Sequence, residues 1–230
     1  PPQKPRPVPR RRADGPNQLW SWDITYLPTS VRGVWLYLYL VIDVWSRKVV
    51  AWDVAEREEA QIAADLVSRA CLRERISKGR PQPLILHADN GNAMRAATLE
   101  SRLEELGVLR SFSRPRVSND NPYSESQFKT MKYRPDFPAR FGCIEDARAH
   151  CQVFFPWYND QHCHSGIGYM TPHSVHYGLA AGMRVIRQAT LDAAFLANPN
   201  RFKNTKPQLP PMPTAAWINP PPEEKTPIAH

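Results

Sequence analysis

Three strand-like runs in quick succession constrain this chain more than any other feature. Trp20 to Leu27, Val34 to Ile42 and Lys48 to Val54 are dense in β-branched and aromatic residues, and the turn-like Trp45-Ser46-Arg47 separates the last two. They predict three consecutive strands, the last two forming a hairpin. The pattern then alternates. From Glu58 to about Ile76, Ala60, Ala63, Ala64, Leu66, Val67, Ala70 and Cys71 recur at helical spacing until Gly79-Arg80-Pro81. Pro83 to His87 predicts a fourth strand, Asp89-Asn90-Gly91 a turn, and Met94, Leu99, Leu103 and Leu106 one face of a helix stopped by Gly107. Val108 to Phe112 predicts a fifth strand. After the polar stretch Ser113 to Asp120, Asn121-Pro122 places an N-cap residue before a proline, predicting a helix from Pro122 to about Lys132; another follows from Ile144 to Tyr158. This order predicts an α/β fold, a mixed five-stranded sheet flanked by helices.

The ends differ from the middle. Six of the 24 prolines lie in residues 1–16 and nine in residues 199–230. Residues 1–16 also carry five Lys/Arg against Asp14, a net +4 of the chain's +8. We therefore expect a basic, proline-rich arm or linker at 1–16, a folded core at 17–180, and a C-terminal region at 181–230 that is helical and then extended and loosely structured. Basic arms suit a polyanion, most commonly nucleic acid, although a solvated tail has the same composition. The longest apolar run, Val34 to Ile42, stops at Asp43, far short of the ~20 residues that span a bilayer. No signal-peptide core is seen, and a start at Pro1 rather than Met suggests a fragment or processed product. Cys71, Cys143, Cys151 and Cys163 lack C-x-x-C spacing, which favours reduced thiols in a cytoplasm.

Three acidic residues stand out. Asp23 sits between Trp22 and Ile24 in a strand otherwise built for burial, where it is either an ion-paired core residue or a functional one. Asp89 ends the fourth strand, a common place for functional groups in α/β sheets, though Asp-Asn-Gly also makes an ordinary turn. Glu125 lies in the first turn of a helix, which the helix dipole favours without any function. In combination they are more telling, with 65 residues between Asp23 and Asp89 and 35 between Asp89 and Glu125. This is the Asp, Asp, thirty-five residues, Glu pattern of retroviral integrases and many bacterial transposases.

Around these residues, Trp20-Ser-Trp-Asp-Ile-Thr-Tyr-Leu27, Asp43-Val-Trp-Ser-Arg-Lys-Val-Val-Ala-Trp52, His87-Ala-Asp-Asn-Gly91, Ser118-Asn-Asp-Asn-Pro-Tyr-Ser-Glu-Ser126 and Phe128-Lys-Thr-Met-Lys-Tyr-Arg-Pro135 resemble the integrase catalytic core of bacterial insertion-sequence transposases of the two-reading-frame type. Tyr158-Asn-Asp, His164 to Pro172 and Ala215 to Pro220 extend the resemblance from about residue 16 over nearly the whole chain. The resemblance implies an RNase H-like fold in which Asp23, Asp89 and Glu125 converge as catalytic, metal-binding carboxylates. An all-oxygen set suits a hard, octahedral ion, so Mg²⁺ or Mn²⁺ is expected, two per site. The implied activity is phosphodiester cleavage at transposon ends to give a 3′-hydroxyl, followed by strand transfer, without a covalent protein intermediate. An RNase H-like nuclease lacking strand transfer and an inactive DNA-binding remnant are the alternatives. Implied partners are transposon-end and target DNA and further copies of the chain, in a bacterial cytoplasm at the nucleoid, with no membrane. Nothing before residue 17 could form the family's helix-turn-helix, so end recognition is expected from a partner or an upstream region.

Supporting residues follow. Lys129 and Lys132 share a helical face with Glu125 and suit DNA phosphates, or solvent. Arg114 and Arg116, with Arg110, form a basic group suited equally to phosphate or solvent, and Asn119 is a minority DNA contact. His87 lies on the same side of its strand as Asp89 and either orients the site or packs. Asn121, with Asn119, is expected to cap and shape the Glu125 helix. Asp43 is read as structural, accepting hydrogen bonds within its own turn. His150, Cys151, His162, Cys163 and His164 fit no standard zinc spacing. The aromatic residues of Val34 to Tyr39 are read as core rather than as a base-stacking platform.

Overall fold

The structure is a computed structural model that describes residues 7–89, 91, 96–115, 117 and 120–221. A short strand β1 (Arg11–Ala13) leads into the long β2 (Leu19–Pro28), β3 (Trp35–Asp43) and β4 (Val49–Ala55). Helix α1 (Ala60–Arg73) crosses to β5 (Ile85–Ala88), and α2 (Ala97–Leu106) crosses to β6 (Leu109–Phe112). Four helices follow: α3 (Pro122–Lys132), α4 (Ile144–Asp160), the single-turn α5 (Pro172–His176) and α6 (Ala180–Ala197), before β7 (Ala216–Ile218). The main sheet has the order β4-β3-β2-β5-β6. Its β2-β3 and β3-β4 pairs are antiparallel, whereas β2-β5 and β5-β6 are parallel. The mixed five-stranded α/β sheet expected from sequence is therefore present.

Strand alternation divides the core between the two faces. Trp22, Tyr39 and Val41 pack with Ala63, Ala64, Val67 and Ala70 of α1 on one side. Leu27, Leu38, Leu40 and Val54 pack with Phe128 and Met131 of α3 and Phe154 and Phe155 of α4 on the other. Each large side chain so buried contributes about 1.5–3 kcal/mol. The alanines of α1 let its axis lie close to the sheet, and Gly107 ends α2 at φ 70°, a left-handed conformation that glycine adopts freely.

Two expectations are corrected. The C-terminal segment is not uniformly loose, because β7 pairs antiparallel with β1, Arg12 opposite Trp217. Ala13, Ala216 and Ile218 are buried beside Leu19 and Val44, so the apolar side chains of both chain ends gain from pairing. The aromatic residues of β3 also divide. Tyr39 is buried, but Trp35 is 46% exposed and meets the 51% exposed Tyr26 edge to face. Trp35 pairs with Pro28 of β2, whereas β4 reaches only to Tyr37, so the start of β3 outruns its neighbour.

Candidate active site

The parallel register of β2 and β5 ends at Trp22 opposite Ala88. Asp23 is the next residue on β2 and Asp89 the first residue past β5, near enough for the charge of Asp89 to act on Asp23. Helix α3 leans on β2 and brings Glu125 to them from its first turn. All three are partly exposed. Burial, the negative charge of Asp89 and, more weakly, that of Glu125 push the Asp23 carboxyl up to about 7. Its own Ile24 N–H and the Lys132 ammonium act in the opposite direction. Ile24 N donates to Asp23 Oδ1 at 2.8 Å, and Gly91 N to Asp89 Oδ1 at 2.8 Å. Among the described residues no trio of His, Cys, Asp or Glu is drawn in closely enough to hold a metal ion.

The first turn of α3 is fastened to β2 by buried polar side chains. The Ser21 hydroxyl donates to Asn121 Oδ1 and lies 2.6 Å from the Ser124 hydroxyl, while Asn121 Nδ2 donates to the Trp22 carbonyl at 3.2 Å. Asn121 is the N-cap residue, as expected, but its side chain caps nothing. It is spent instead on the fully buried Ser21 hydroxyl and the Trp22 carbonyl. Ser21 and Ser124 were absent from the sequence-derived site. Their signal was a small polar residue at a position whose neighbours demand burial.

The basic candidates have different fates. Lys129 is exposed. Lys132 bends back to β2, donating to Thr25 Oγ1 at 2.6 Å and to the Tyr26 carbonyl at 3.1 Å, which places its charge near Asp23. Arg114 closes a bidentate fork on Asp120 at 3.0 and 2.9 Å, and Arg110 pairs with Glu100. Arg116 and Asn119 lie outside the described residues. His87 turns to β6 and the loop after it, 2.9 Å from the Ser111 hydroxyl and 3.2 Å from that of Ser113; burial holds its imidazole down at about 4. Asp43 is buried and accepts from Ser46 N, Ser46 Oγ and Asn17 N at 2.7–2.8 Å, which agrees with the structural reading.

The comparisons with known proteins point the same way. The integrase core domain matches over residues 13–118 and, in a second form, over 106–172. The transposase for insertion sequence element IS904 of Lactococcus lactis is 35% identical over 163 residues, 70% of this chain and 62% of its own length. Transposase InsF for insertion sequence IS3A of Escherichia coli is 35% identical over 161 residues, 70% of this chain and 54% of that protein. The chain thus spans little more than half the length of these relatives. Among solved structures, a chain of the simian T-cell lymphotropic virus intasome, in complex with PP2A regulatory subunit B56 gamma, superimposes with a TM-score of 0.57 at 19% identity, covering 92% of this chain and 63% of that one. The catalytic domain of Mos1 mariner transposase gives 0.52 at 16% identity, covering 71% and 76%. These two structures share the RNase H-like fold of the sheet described above.

Proposed function

The chain belongs to the integrase core family, with bacterial insertion-sequence transposases of the DDE superfamily, and from that premise we propose that it cleaves DNA phosphodiesters at transposon ends and joins the resulting 3′-hydroxyl to target DNA. One observation supports the reading: at the end of the parallel strands the negative charges of Asp89 and, more weakly, Glu125 act on Asp23. The three residues carry more negative charge than Lys132 offsets, and their donors are oxygens alone. That donor chemistry suits Mg²⁺ or Mn²⁺, which Asp23, Asp89 and Glu125 would hold once drawn closer together, two ions in our reading. When bound, the ions activate the attacking oxygen and stabilise the leaving one.

The remaining steps belong to the chain. Ile24 N–H and Gly91 N–H orient the carboxylates of Asp23 and Asp89, while Ser21, Asn121 and Ser124 keep the first turn that carries Glu125 in place. Lys132 offsets part of the charge at Asp23, and exposed Lys129 takes a DNA phosphate on the same helix. DNA and further copies of the chain are its partners in a bacterial cytoplasm, and end recognition comes from a helix-turn-helix outside it.

Incubation with supercoiled DNA and Mg²⁺ or Mn²⁺ tests the proposal. Cleaved and strand-joined products are expected from the wild type, and Asp89→Asn should lower both by more than about 100-fold, a larger loss than removing a residue that only supports a metal ligand. Wild-type turnover by Asp89→Asn would overturn the site, and cleavage without joining would reduce the protein to a nuclease.

A further inference from the structure

The turn between β3 and β4 puts Arg47 at φ 67°, a left-handed conformation that side chains with a Cβ adopt reluctantly and that glycine or asparagine normally fills. An arginine kept there points to a use for its side chain. The guanidinium lies 4.1 Å from the centre of the Tyr123 ring and donates to the Val44 carbonyl. Among the described residues it makes no ion pair with a carboxylate, whereas Arg69, Arg102, Arg110, Arg114 and Arg134 each do. Arg47 is thus a half-buried cation without an anion.

It faces a cavity of about 370 Å³ that Tyr123, Ser126, Tyr158, His164 and Ser165 also line. His164 Nε2 is buried without a hydrogen-bond partner. Burial, His162 and Arg47 hold that imidazole down at about 3, so it stays neutral, and among the described residues Arg47 is the one full charge in the lining. The hydroxyls of Ser126 and Ser165 add neutral donors. A fixed cation, hydroxyl donors and the amino end of α3 together make a receptor for an oxyanion.

We propose that this cavity holds a backbone phosphate of the DNA strand whose neighbouring phosphodiester lies at Asp23, Asp89 and Glu125. The assignment rests on the reading of the chain as a DNA-processing core. Its geometric basis is α3: Pro122, Tyr123 and Ser126 line the cavity, and Glu125 projects from the same turn about 100° round the axis. A strand crossing this turn therefore meets the carboxylates on one side and Arg47 on the other. Arg47 is then a DNA-positioning residue, one helix face away from the chemistry.

The test is a fluorescence-anisotropy titration of a short labelled duplex, repeated over a series of salt concentrations, with the full chain and its Arg47→Gly and Arg47→Lys variants. Glycine suits φ 67°, so relief of the backbone offsets the lost Tyr123 contact and the variant remains folded. Arg47→Gly should bind about 10-fold more weakly, and the slope of log affinity against log salt should flatten by about one counterion; Arg47→Lys should keep the wild-type slope. An unchanged slope in Arg47→Gly, whatever its melting temperature, would overturn the phosphate site and leave Arg47 as a fastener of α3 through Tyr123. If the wild type itself bound without salt dependence, the DNA reading beneath the proposal would fall instead.

Discussion

Asp23 and Glu74 are both carboxylates withdrawn from solvent, yet Asp23 is the one held in the less comfortable state. Behind the β3-β4 turn, the Glu74 side chain is 3% exposed, pairs with Lys48 and lies 2.9 Å from His176 Nε2. Burial alone would raise its carboxyl, but hydrogen bonds from His176 and Lys48 outweigh that and bring it down to about 2. Lys48 donates in addition to the Tyr177 hydroxyl at 3.0 Å, and His176 Nδ1 lies 2.9 Å from the Ser46 hydroxyl and 3.8 Å from Asp43. Asp23 meets two further carboxylates and rises to about 7. Burial disfavours both groups, so the sign is decided by what surrounds them. One acidic cluster carries its cations with it, and the other is arranged to receive them from outside.

Amide substitutions should therefore separate the two clusters. At the open one, Asp89→Asn removes activity by more than about 100-fold while the melting temperature holds or rises, since a repulsion is removed along with a ligand. At the closed one, Glu74→Gln leaves Lys48 and His176 buried beside a neutral group, and should cost about 3–5 kcal/mol in chemical denaturation. The activity of its folded fraction should persist. A Glu74→Gln protein as stable as wild type would show that the network contributes nothing net, and the contrast would collapse.

The pH dependence sharpens the same contrast. The Glu74 carboxyl is lowered from its ordinary 4.5, so its contribution is complete above that value and is lost as pH falls toward about 2. Burial lowers the His176 imidazole, but Asp43 and Glu74 raise it above its ordinary 6.5 on balance; its contribution is complete below 6.5 and is lost as pH rises through the higher folded value. The stability gap between wild type and Glu74→Gln should be widest between about pH 4.5 and 6.5 and narrow on either side. A gap independent of pH would mean that packing, not charge, sets it.

How much of this could be read in the sequence depends on the range of the interactions. The five strands of the main sheet and helices α1 to α4 were legible because period, turn residues and helix stops act over a few positions. The order of Asp23, Asp89 and Glu125 was legible because the motifs around them are local. What stayed hidden was paired across the chain. Ser21 meets Asn121 and Ser124 from 100 and 103 residues away, so the sequence favoured a cap at Asn121 where the fold needed a tie. β1 finds β7 across nearly the whole chain. Trp35 and Tyr39 have the same strand propensity, and only the end of β4 decides which is covered. The unpaired charge of Arg47 likewise depends on which carboxylates fold near it.

The smallest expected effect concerns the brace between the tail and the loop before α3. Asn219, just past β7, donates to Asp120 Oδ1 at 2.8 Å and to the Pro9 carbonyl at 3.1 Å. Asp120 is fully buried; burial would raise its carboxyl, but Arg114, aided by Asn219, brings it down to about 2. Removing the Asn219 side chain leaves the Arg114 fork intact, so the cost should be about 1–2 kcal/mol rather than that of a broken ion pair. The backbone adds a second, separable contribution. Asn219 sits at φ 51°, which glycine tolerates and alanine does not. Asn219→Gly should lose only the hydrogen bonds, whereas Asn219→Ala should lose more despite the stiffer unfolded chain that normally favours alanine. Denaturation midpoints of the two variants check both parts. If Asn219→Gly matched the wild type, the β1-β7 pair would not belong to the cooperative unit that carries Glu125; if alanine exceeded glycine, the left-handed conformation would not be maintained in solution.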